Sequence, residues 1–469
     1  MFKREPLPHQ LECLNRSIGE NNFAFLIDMG GGKTKVTIDT VNILFSQGKI
    51  NRWLCIAPNG IYKNWLRELE LDLLDSISHR IKIWKQEEII TKVSDTKNFL
   101  NILLMNIEAF SSKKGLEYAK KFITENTIVT VDESTTIKNH KAKRALALTE
   151  ISRIAKYRRI LTGYPTPQNQ LDLFMQFNFL DWRIIGLRSF YAFQNEYGIV
   201  KKIDLGPGRP KFNKIIGCAN IDNLKEKIKP YSFIIRKDEC LNLPEKIYQI
   251  REVQMSNEQI RVYNEIRDKA VSILQDQSLV TVDMVLTQLV KLHQITCGYI
   301  KNEEDSIYLF EKNPKLEALL DAIEQTSDKI IIWSPYVITI KFIEEKLKNI
   351  FGEKYVHTYF GETRQKEREK ALHEFQFGEA KAFIGNPSTA GFGLTLTASS
   401  TVFYYANSYN LEHRLQSEDR CHRIGQKKSV VYTDLLCNKT VDVKILKALK
   451  SKKSIGSIIL DEEWKEWII

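Results

Sequence analysis

At 469 residues the chain is too long for one ordinary hydrophobic core, so its length indicates two or three domains. Its 43% hydrophobic and 27% charged residues describe a folded globular protein and exclude a disordered one. The net charge of +11 and the pI of about 9.0 favour a polyanionic partner such as nucleic acid, although a generically basic protein would show the same balance.

Further classes are excluded by what the sequence lacks. No apolar run approaches the roughly 20 residues that a membrane span needs, and the N-terminus lacks the apolar core of a signal peptide. The seven cysteines form no CxxC pair and the eight histidines show no metal-ligand spacing, which argues against a zinc site or a disulfide framework. We therefore expect a cytoplasmic protein with reduced thiols and no membrane partner.

Apolar strands alternate with amphipathic helices along residues 1–182, the predicted first lobe. One predicted helix begins near Leu7 and a second follows the first strand. Two more cover residues 62–73 and 143–155. The predicted strands are 23–27, 52–57, 81–84, 101–105, 127–131 and 159–161. This alternation indicates a parallel sheet covered on both faces, with ligand-binding polar residues at the carboxyl ends of its strands.

The rest of the chain predicts a second lobe after an interruption. Residues 183–245 break the rhythm and predict a mainly helical insertion. Residues 246–312 predict a helical start of the second half, 313–440 a second parallel-sheet lobe, and 441–469 a C-terminal helix. Predicted strands of this half are 329–333, 355–359, 382–385, 401–405 and 430–436, and predicted helices are 337–350, 364–375 and 411–423. The predicted fold is α/β, with two lobes in tandem.

Residues 23–36 (FAFLIDMGGGKTKV) have the composition of a phosphate-binding loop between a strand and a helix. Glycines let the backbone bend around an anion, and the helix N-terminus adds partial positive charge. The Lys33 ammonium can reach the outer phosphates and the Thr34 hydroxyl can bind Mg²⁺. The strict pattern has another glycine where Ile27 stands, so an ordinary glycine-rich turn is the alternative.

Three later groups suit the same chemistry. Asp132-Glu133 ends a buried strand, where one carboxylate can hold Mg²⁺ and the next can orient the attacking water; a solvated strand end is the alternative. Residues 161–167 (LTGYPTP) are interpreted as a relay between nucleotide and partner sites, or as a rigid turn. Arg420 and Arg423 share one face of the predicted helix and suit the charge on a triphosphate, unless that helix only pairs with its own acidic residues.

Taken in order, these motifs resemble those of the Swi/Snf-type DNA-translocating ATPases, a branch of helicase superfamily two. The matching stretches are 28–34 (DMGGGKT), 56–58 (IAP), 132–139 (DESTTIKN), 161–169 (LTGYPTPQN), 390–397 (AGFGLTLT) and 416–426 (QSEDRCHRIGQ). Ser134-Thr135 replaces an Ala/Gly-His pair whose histidine couples the nucleotide site to neighbouring motifs in the family. Since threonine has a shorter reach, this departure bears on coupling and not on hydrolysis.

The resemblance implies two RecA-like lobes, the cofactors ATP and Mg²⁺, and roles for particular residues. The implied catalytic residues are Lys33, Glu133, Arg420 and Arg423. ATP would be held by Gln10, which reads the adenine edge, and by Asp28, Met29, Gly30, Gly31, Gly32, Lys33 and Thr34. Thr34 and Asp132 would hold Mg²⁺. The residues implied to face nucleic acid are Pro58, Asn59, Asn106, Thr162, Gly163, Asn386 and Thr395.

The function that the resemblance implies is a DNA-dependent ATPase that translocates along double-stranded DNA, branched or forked DNA included. Such a motor is expected to act as a monomer and to remodel or anneal DNA structures or displace bound proteins. The alternatives are a strand-separating DNA or RNA helicase and a nucleotide-gated DNA-binding scaffold without hydrolysis. Compact members of the family indicate a bacterium or a virus-infected bacterial cell. Residues 441–469 resemble the closing brace helix of the family, and 183–245 is either a DNA contact or a solvated insertion.

Overall fold

The protein forms two compact units, Met1–Asn242 and Leu243–Ile469. The computed structural model describes residues 2–58, 62–85, 98–167, 169–203, 212–241, 243–276, 282–301, 306–390 and 394–451. Each unit is built on its own parallel sheet with helices around it, which confirms the predicted α/β fold class.

The first unit is a seven-stranded sheet with its connecting helices. In chain order its elements are α1 (Pro8–Ser17), β1 (Asn22–Ile27), α2 (Lys33–Ser46), β2 (Arg52–Ala57), α3 (Tyr62–Asp72), β3 (His79–Ile83), β4 (Leu100–Asn106), α4 (Lys113–Phe122), β5 (Thr127–Asp132), α5 (Lys143–Ser152), β6 (Tyr157–Leu161), α6 (Leu173–Ile185), α7 (Phe190–Tyr197), β7 (Gly198–Ile203), β8 (Phe212–Cys218), α8 (Ile221–Ile228), β9 (Ser232–Ile235) and α9 (Lys237–Cys240). The strands are ordered β3-β4-β2-β5-β6-β1-β9, and all of them pair in parallel.

The central strands of this sheet are buried on both faces. Leu54 and Ile56 of β2 belong to one core cluster, while Trp53 and Cys55, which point to the opposite face, are also at most 1% exposed. Strands covered on both sides read as continuous apolar runs, which is why their positions follow the sequence prediction closely.

The predicted insertion at 183–245 is wrong in two respects. Strand β9 pairs with β1 at the edge of the first sheet, so this part of the segment completes the first unit instead of standing between the lobes. The segment is also not mainly helical, because β7 and β8 form an antiparallel hairpin within it. Strand β9 is only four residues long and follows lysine-rich sequence, so its apolar signal was too short to recognise.

The second unit is built on a six-stranded parallel sheet. Its elements are β10 (Lys246–Val253), α10 (Asn257–Asp276), α11 (Val282–Thr296), β11 (Tyr299–Lys301), β12 (Ile307–Leu309), α12 (Pro314–Glu324), β13 (Ile330–Trp333), α13 (Val337–Phe351), β14 (Val356–Tyr359), α14 (Gln365–Phe377), β15 (Ala382–Gly385), α15 (Pro387–Ala390), β16 (Thr401–Tyr404), α16 (Leu411–Glu418), β17 (Val430–Cys437) and α17 (Val441–Lys450). The strand order is β10-β17-β16-β13-β15-β14, and β11 pairs with β12 in a separate hairpin.

Two boundaries of the second half differ from prediction. The sheet begins with β10 at Lys246, well before the predicted start of the lobe at 313, because β10 pairs along its whole length with β17. Helix α16 ends at Glu418 and not at Arg423. Helix α17 packs in a core cluster with α10 and α11, and the rest of the predicted brace, residues 452–469, lies outside the described residues.

Among the helices in the described part of the chain, none is both long enough and apolar enough to cross a membrane. All seven cysteines are described and none is in a disulfide, which agrees with the expected reduced thiols.

Candidate nucleotide site and the strand ends around it

The predicted site residues of the first unit gather at one edge of its sheet. Asp28 follows β1, Pro58 follows β2, Asn106 ends β4, Asp132 ends β5 and Thr162 follows β6. These strands are adjacent in the order β4-β2-β5-β6-β1, and parallel strands present their carboxyl ends at the same edge. The sheet therefore brings together residues that are up to 134 positions apart in the chain (Asp28 to Thr162).

The glycine loop, residues 28–32, has the backbone of an anion cradle. Gly30 and Gly32 have left-handed φ angles of 84° and 87°, which side-chain-bearing residues rarely adopt. Gly32 is the N-cap of α2, so the amide groups and the positive end of the helix are directed toward the loop. A Cβ on Gly31 would lie 2.5 Å from the Ile27 side chain, so this position is also closed to larger residues.

Side chains from α1 and α2 fold onto this loop. Lys33 Nζ donates to the Ile27 carbonyl oxygen at 2.9 Å, so the ammonium lies at the base of the loop. Gln10 Nε2 donates to the Gly31 carbonyl oxygen at 3.1 Å, and His9 Nε2 donates to the same oxygen at 2.8 Å. The Gln10 side-chain oxygen accepts from the Leu7 amide. Gln10 is therefore held against the loop backbone.

Asp132 is held by two hydrogen bonds at the end of β5. Its carboxylate accepts from the Trp65 indole N–H at 3.1 Å and from the Glu133 amide at 3.0 Å. Burial and then the neighbouring Glu133 carboxylate raise the pKa of Asp132, the Lys33 ammonium and the two hydrogen bonds lower it, and the net result is a pKa of about 7. Lys33 and Asp132 are thus electrostatic neighbours, as a phosphate ligand and a metal ligand must be.

Glu133 has a left-handed backbone, with φ 47° and ψ 58°. Glutamate adopts this conformation at a cost of about 1–2 kcal/mol, and such strain concentrates at functional sites. The turn is secured because the Glu133 carbonyl oxygen accepts from both the amide and the hydroxyl of Thr136. The left-handed residue lets the chain turn after Asp132 into the short 3₁₀ helix Ser134–Ile137.

The residues present fit Mg²⁺ bound together with a nucleotide. Thr34 offers a hydroxyl in the first turn of α2, and Asp132 offers a carboxylate two strands away. Within the described residues, no group of three or more His, Cys, Asp or Glu side chains is placed to hold a metal ion. Mg²⁺ needs no such group, because it keeps several waters and binds through one or two protein oxygens and the phosphates.

The loop of residues 162–167 contacts the nucleotide site directly. A Cβ on Gly163 would lie 2.9 Å from the Met29 amide nitrogen, so the two backbones pack against each other. Thr162 is 1% exposed, and its hydroxyl accepts from the Tyr164 amide. The structure thus places Thr162 and Gly163 against the glycine loop, and leaves Tyr164 and the residues after it half-buried at the surface.

The other residues expected to face nucleic acid are more varied in exposure. Asn106 is half-buried and its side-chain oxygen caps the turn after β4 by accepting from the Ala109 amide. Pro58 is buried. Asn386 follows β15 and donates to the Pro335 carbonyl oxygen. Asn59 lies outside the described residues.

Arg420 and Arg423 are brought together in the second unit, although not on a helix. They lie in the turns that follow α16, and each donates to the Leu394 carbonyl oxygen, at 3.4 Å and 3.0 Å. The Leu396 amide donates to the Arg420 carbonyl oxygen, so the segment around Thr395 pairs with the arginine turn. The two guanidiniums thus meet at one carbonyl oxygen, whereas the predicted helix that was to carry both on one face ends at Glu418, before either residue.

Gln426 fixes the turn that carries the arginines. Its amide donates to the carbonyl oxygens of Ser399, Thr397 and Cys421, and its oxygen accepts from the two amides that follow it. Arg414, by contrast, is a structural arginine, because its guanidinium is saturated by Asp434, Glu418 and Asn407. The chain thus separates a buried structural arginine from the pair that closes the turn.

Sequence reasoning gave no role to three contributors to the site. Trp65 belongs to a stretch, Asn64-Trp65, that resembles a family motif, whereas Gln176 and His9 have no motif-like spacing to the residues that they contact. Gln176 is fully buried on α6 and accepts from the Ser134 hydroxyl. A polar residue at a core-facing helical position was the only available signal, because buried amides need partners.

Comparison with known proteins matches both halves of the chain. A family model described as SNF2-related domain matches residues 11–299, more than half of the chain, and one described as helicase conserved C-terminal domain matches residues 312–425.

Curated relatives align along nearly the whole chain. The putative ATP-dependent helicase/translocase YwqA of Bacillus subtilis is 27% identical over 489 residues, covering 99% of this chain and 50% of that protein. The uncharacterized ATP-dependent helicase MG018 of Mycoplasma genitalium is 24% identical and covers 96% of this chain and 41% of that protein. The chain therefore spans about half or less of the length of these relatives. A solved structure described as the Sulfolobus solfataricus SWI2/SNF2 ATPase core in complex with dsDNA is 24% identical, with 99% of this chain and 94% of that chain covered and a TM-score of 0.44.

Proposed function

Because this chain belongs to the SNF2-related domain family, we propose that it is a DNA-dependent ATPase that translocates along double-stranded DNA to remodel or anneal DNA structures or to displace bound proteins. Relatives that align over nearly the whole chain are named ATP-dependent helicases or translocases, which supports an ATP-driven motor. The basic net charge of +11 supports a polyanionic track.

The observation that carries the proposal is the edge of the first sheet. A left-handed glycine cradle, Lys33, and the strained Asp132-Glu133 pair meet at adjacent strand ends, where α/β proteins bind nucleotides. A glycine-rich turn without function would need neither a buried carboxylate beside Lys33 nor a strained glutamate. The alternative of a simple turn is therefore disfavoured.

The roles in hydrolysis follow from position. The glycine loop amides and Lys33 bind the phosphates, and Thr34 and Asp132 hold Mg²⁺, which supplies positive charge at the phosphate oxygens. Glu133 orients the attacking water. Arg420 and Arg423, paired through the Leu394 carbonyl oxygen, stabilise the charge that develops on the γ-phosphate.

Residues of each unit are proposed to contact DNA. The half-buried residues Asn106 and Tyr164 to Pro167 of the first unit, and Thr395 of the second, meet the phosphate backbone. The 162–167 loop packs on the glycine loop through Gly163, and Thr395 precedes Leu396, whose amide donates to the Arg420 carbonyl oxygen. Because such contacts read the backbone and not the bases, binding is independent of sequence.

The test is turnover by Glu133→Gln, with Glu125→Gln as a matched exposed control. We expect Glu133→Gln to lower kcat by at least about 100-fold while ATP and DNA binding are retained, since only the positioning of water is lost. Assays without nucleic acid and with single-stranded, duplex and branched DNA and RNA identify the track. Unchanged turnover by the Glu133→Gln variant would contradict the assigned site. If duplex DNA does not stimulate the ATPase of the wild-type protein, the proposed motor is contradicted.

Two further assays separate the remaining alternatives. Displacement of a triplex-forming strand without strand separation supports a duplex translocase, whereas separation of a duplex supports a helicase. Nucleotide-dependent DNA binding with no phosphate release by the wild-type protein would support a scaffold without hydrolysis.

A further inference from the structure

The side chain of Ser134 is directed into the core of the first unit and not into the candidate nucleotide site. It directly follows Glu133, is fully buried, and begins a short 3₁₀ turn. Its hydroxyl donates to Gln176 Oε1 at 2.7 Å. Gln176 lies on α6, 42 residues further along the chain, and is itself fully buried.

Both the oxygen and the nitrogen of the Gln176 side-chain amide form hydrogen bonds. While its oxygen accepts from Ser134, its nitrogen donates to the Pro165 carbonyl oxygen at 2.7 Å and to the Asp172 carbonyl oxygen at 2.9 Å. These partners fix the orientation of the amide, because a flip would place the nitrogen toward the hydroxyl and the oxygen toward two carbonyl oxygens. Gln176 therefore joins the end of β5 to the 162–167 loop through a fully satisfied network.

The 162–167 loop is thus held from two sides of the nucleotide site. Gly163 packs on the Met29 backbone of the glycine loop. Pro165 is tied through Gln176 to Ser134, next to Glu133. A movement of either the glycine loop or the Glu133 turn must displace the 162–167 loop, since close-packed buried contacts shift together.

We propose that Gln176 is a positioning residue that, with Ser134, couples the state of the nucleotide site to the 162–167 loop. This proposal rests on the proposed function. It assigns this coupling to a serine in the turn after β5 and a glutamine on α6, which the two 2.7 Å hydrogen bonds join to Pro165. The half-buried end of the loop, Tyr164 to Pro167, is the part that responds.

The test compares Ser134→Ala with Ser152→Ala. Both variants lose one fully or nearly fully buried hydroxyl of the first unit, but Ser152 donates only to Thr149 within α5. We expect Ser134→Ala to keep basal ATPase within about twofold and to lower the ratio of DNA-stimulated to basal ATPase by about fivefold or more, the size of a modest coupling energy. Ser152→Ala should keep that ratio.

A second measurement needs no DNA. Hydrogen exchange of residues 162–171 is followed with and without a non-hydrolysable ATP analogue. In the wild-type protein the analogue should slow exchange in this segment, and in Ser134→Ala this difference should shrink although the analogue still binds. Gln176→Leu should give the same loss, and the double variant should be no worse than Gln176→Leu, because residues that act as a unit are not additive.

The outcomes distinguish the two proposals. If the wild-type protein shows no DNA stimulation but exchange in the segment depends on nucleotide and on Ser134, the proposed motor fails and the coupling stands. If Ser134→Ala matches Ser152→Ala in both measurements, or the wild-type segment ignores nucleotide, the coupling is overturned. A thermal unfolding curve for each variant identifies any general loss of folding.

Discussion

Both the backbone conformation of the glycine loop and its packing against α1 require a glycine at position 32. Its φ of 87° disfavours any side chain, and a Cβ there would lie 2.1 Å from Gln10 Nε2. Gln10 itself is held by the Leu7 amide and the Gly31 carbonyl oxygen, so it cannot move without losing both bonds. The third glycine of the motif is therefore required twice, by the backbone and by α1.

We predict that Gly32→Ala weakens ATP binding by about tenfold or more, because the loop and Gln10 must both shift. The control is Gly48→Ala, which also has a left-handed φ of 68° but opens onto free space. That variant should lose roughly 1 kcal/mol of stability and keep its nucleotide affinity. Titration with a fluorescent ATP analogue measures the affinity of each variant. Equal affinities of the Gly32→Ala and Gly48→Ala variants would refute the role of the contact with Gln10.

His293 is a buried residue of the second unit whose environment favours the neutral ring. Burial lowers its pKa to about 4, the Lys315 ammonium acts in the same direction, and the Asp442 carboxylate opposes them. Its ring nitrogens lie 2.9 Å from the Tyr336 hydroxyl and 3.5 Å from Asp442, and Tyr409 packs edge-on against the ring. This cluster joins α11, α12 and α17, and it has no role in the proposed hydrolysis.

The depressed pKa of His293 predicts an acid-sensitive second unit. Between pH 6.5 and 4 the unfolded chain takes up a proton that the folded chain refuses, so stability falls as pH falls. From about pH 7 to pH 5 the loss is about 2 kcal/mol. Urea unfolding at several pH values should show this slope, and His293→Asn should flatten it. The exposed His373, replaced in the same way, should leave the slope unchanged; a slope unchanged in His293→Asn contradicts the assignment.

The chemistry of single residues was largely predictable, but their partners were not. Lys33, Asp132 and Glu133 can be selected from the sequence by their residue type and by their positions after predicted strands. Trp65 and Gln176 contact Asp132 and Ser134 only because separate elements fold together, and no local spacing in the sequence encodes those contacts. The same limit explains why Thr162, expected to face nucleic acid, is buried against β1.

At the scale of elements, β9 decides where the first unit ends. It pairs with β1 from Ala24 to Ile27, and the Asp28 amide donates to the Ile235 carbonyl oxygen just beyond that pairing. Long, doubly buried strands such as β2 were located to the residue, whereas the short edge strand β9 and the end of α16 were not. Tertiary pairing, and not local propensity, fixes such short elements and helix ends.

We predict that a fragment of residues 1–242 folds and binds ATP, whereas a fragment of 1–182 does neither. Without β9, strand β1 becomes an exposed apolar edge directly beneath the glycine loop. Circular dichroism melting and ATP-analogue titration test both fragments. A cooperative transition of 1–182 at the same temperature as that of 1–242 would show that β9 is dispensable.

At the scale of the whole molecule, the charge of +11 belongs to a chain with two compact units, each built on its own large parallel sheet. The residues proposed to bind phosphate are in the first unit, and the paired arginines are in the second. The proposed hydrolysis therefore depends on residues of both units.

Salt should therefore act on DNA binding and on DNA-stimulated ATPase together. From about 50 to about 200 mM salt we expect duplex affinity to fall by about tenfold or more, because bound cations are released from the phosphates. Basal ATPase measured in the same buffers is the control and should change little. Stimulation that persists unchanged at high salt would argue against backbone contacts.

The Asp28 carboxylate also accepts from the Lys237 amide, at 3.3 Å, where α9 carries the chain out of the first unit. The polypeptide that leads to the second unit is thus fastened to the glycine loop at its point of departure. The glycine loop and the exit of the chain from the first unit therefore share a hydrogen-bond acceptor, so a substitution of Asp28 acts on both.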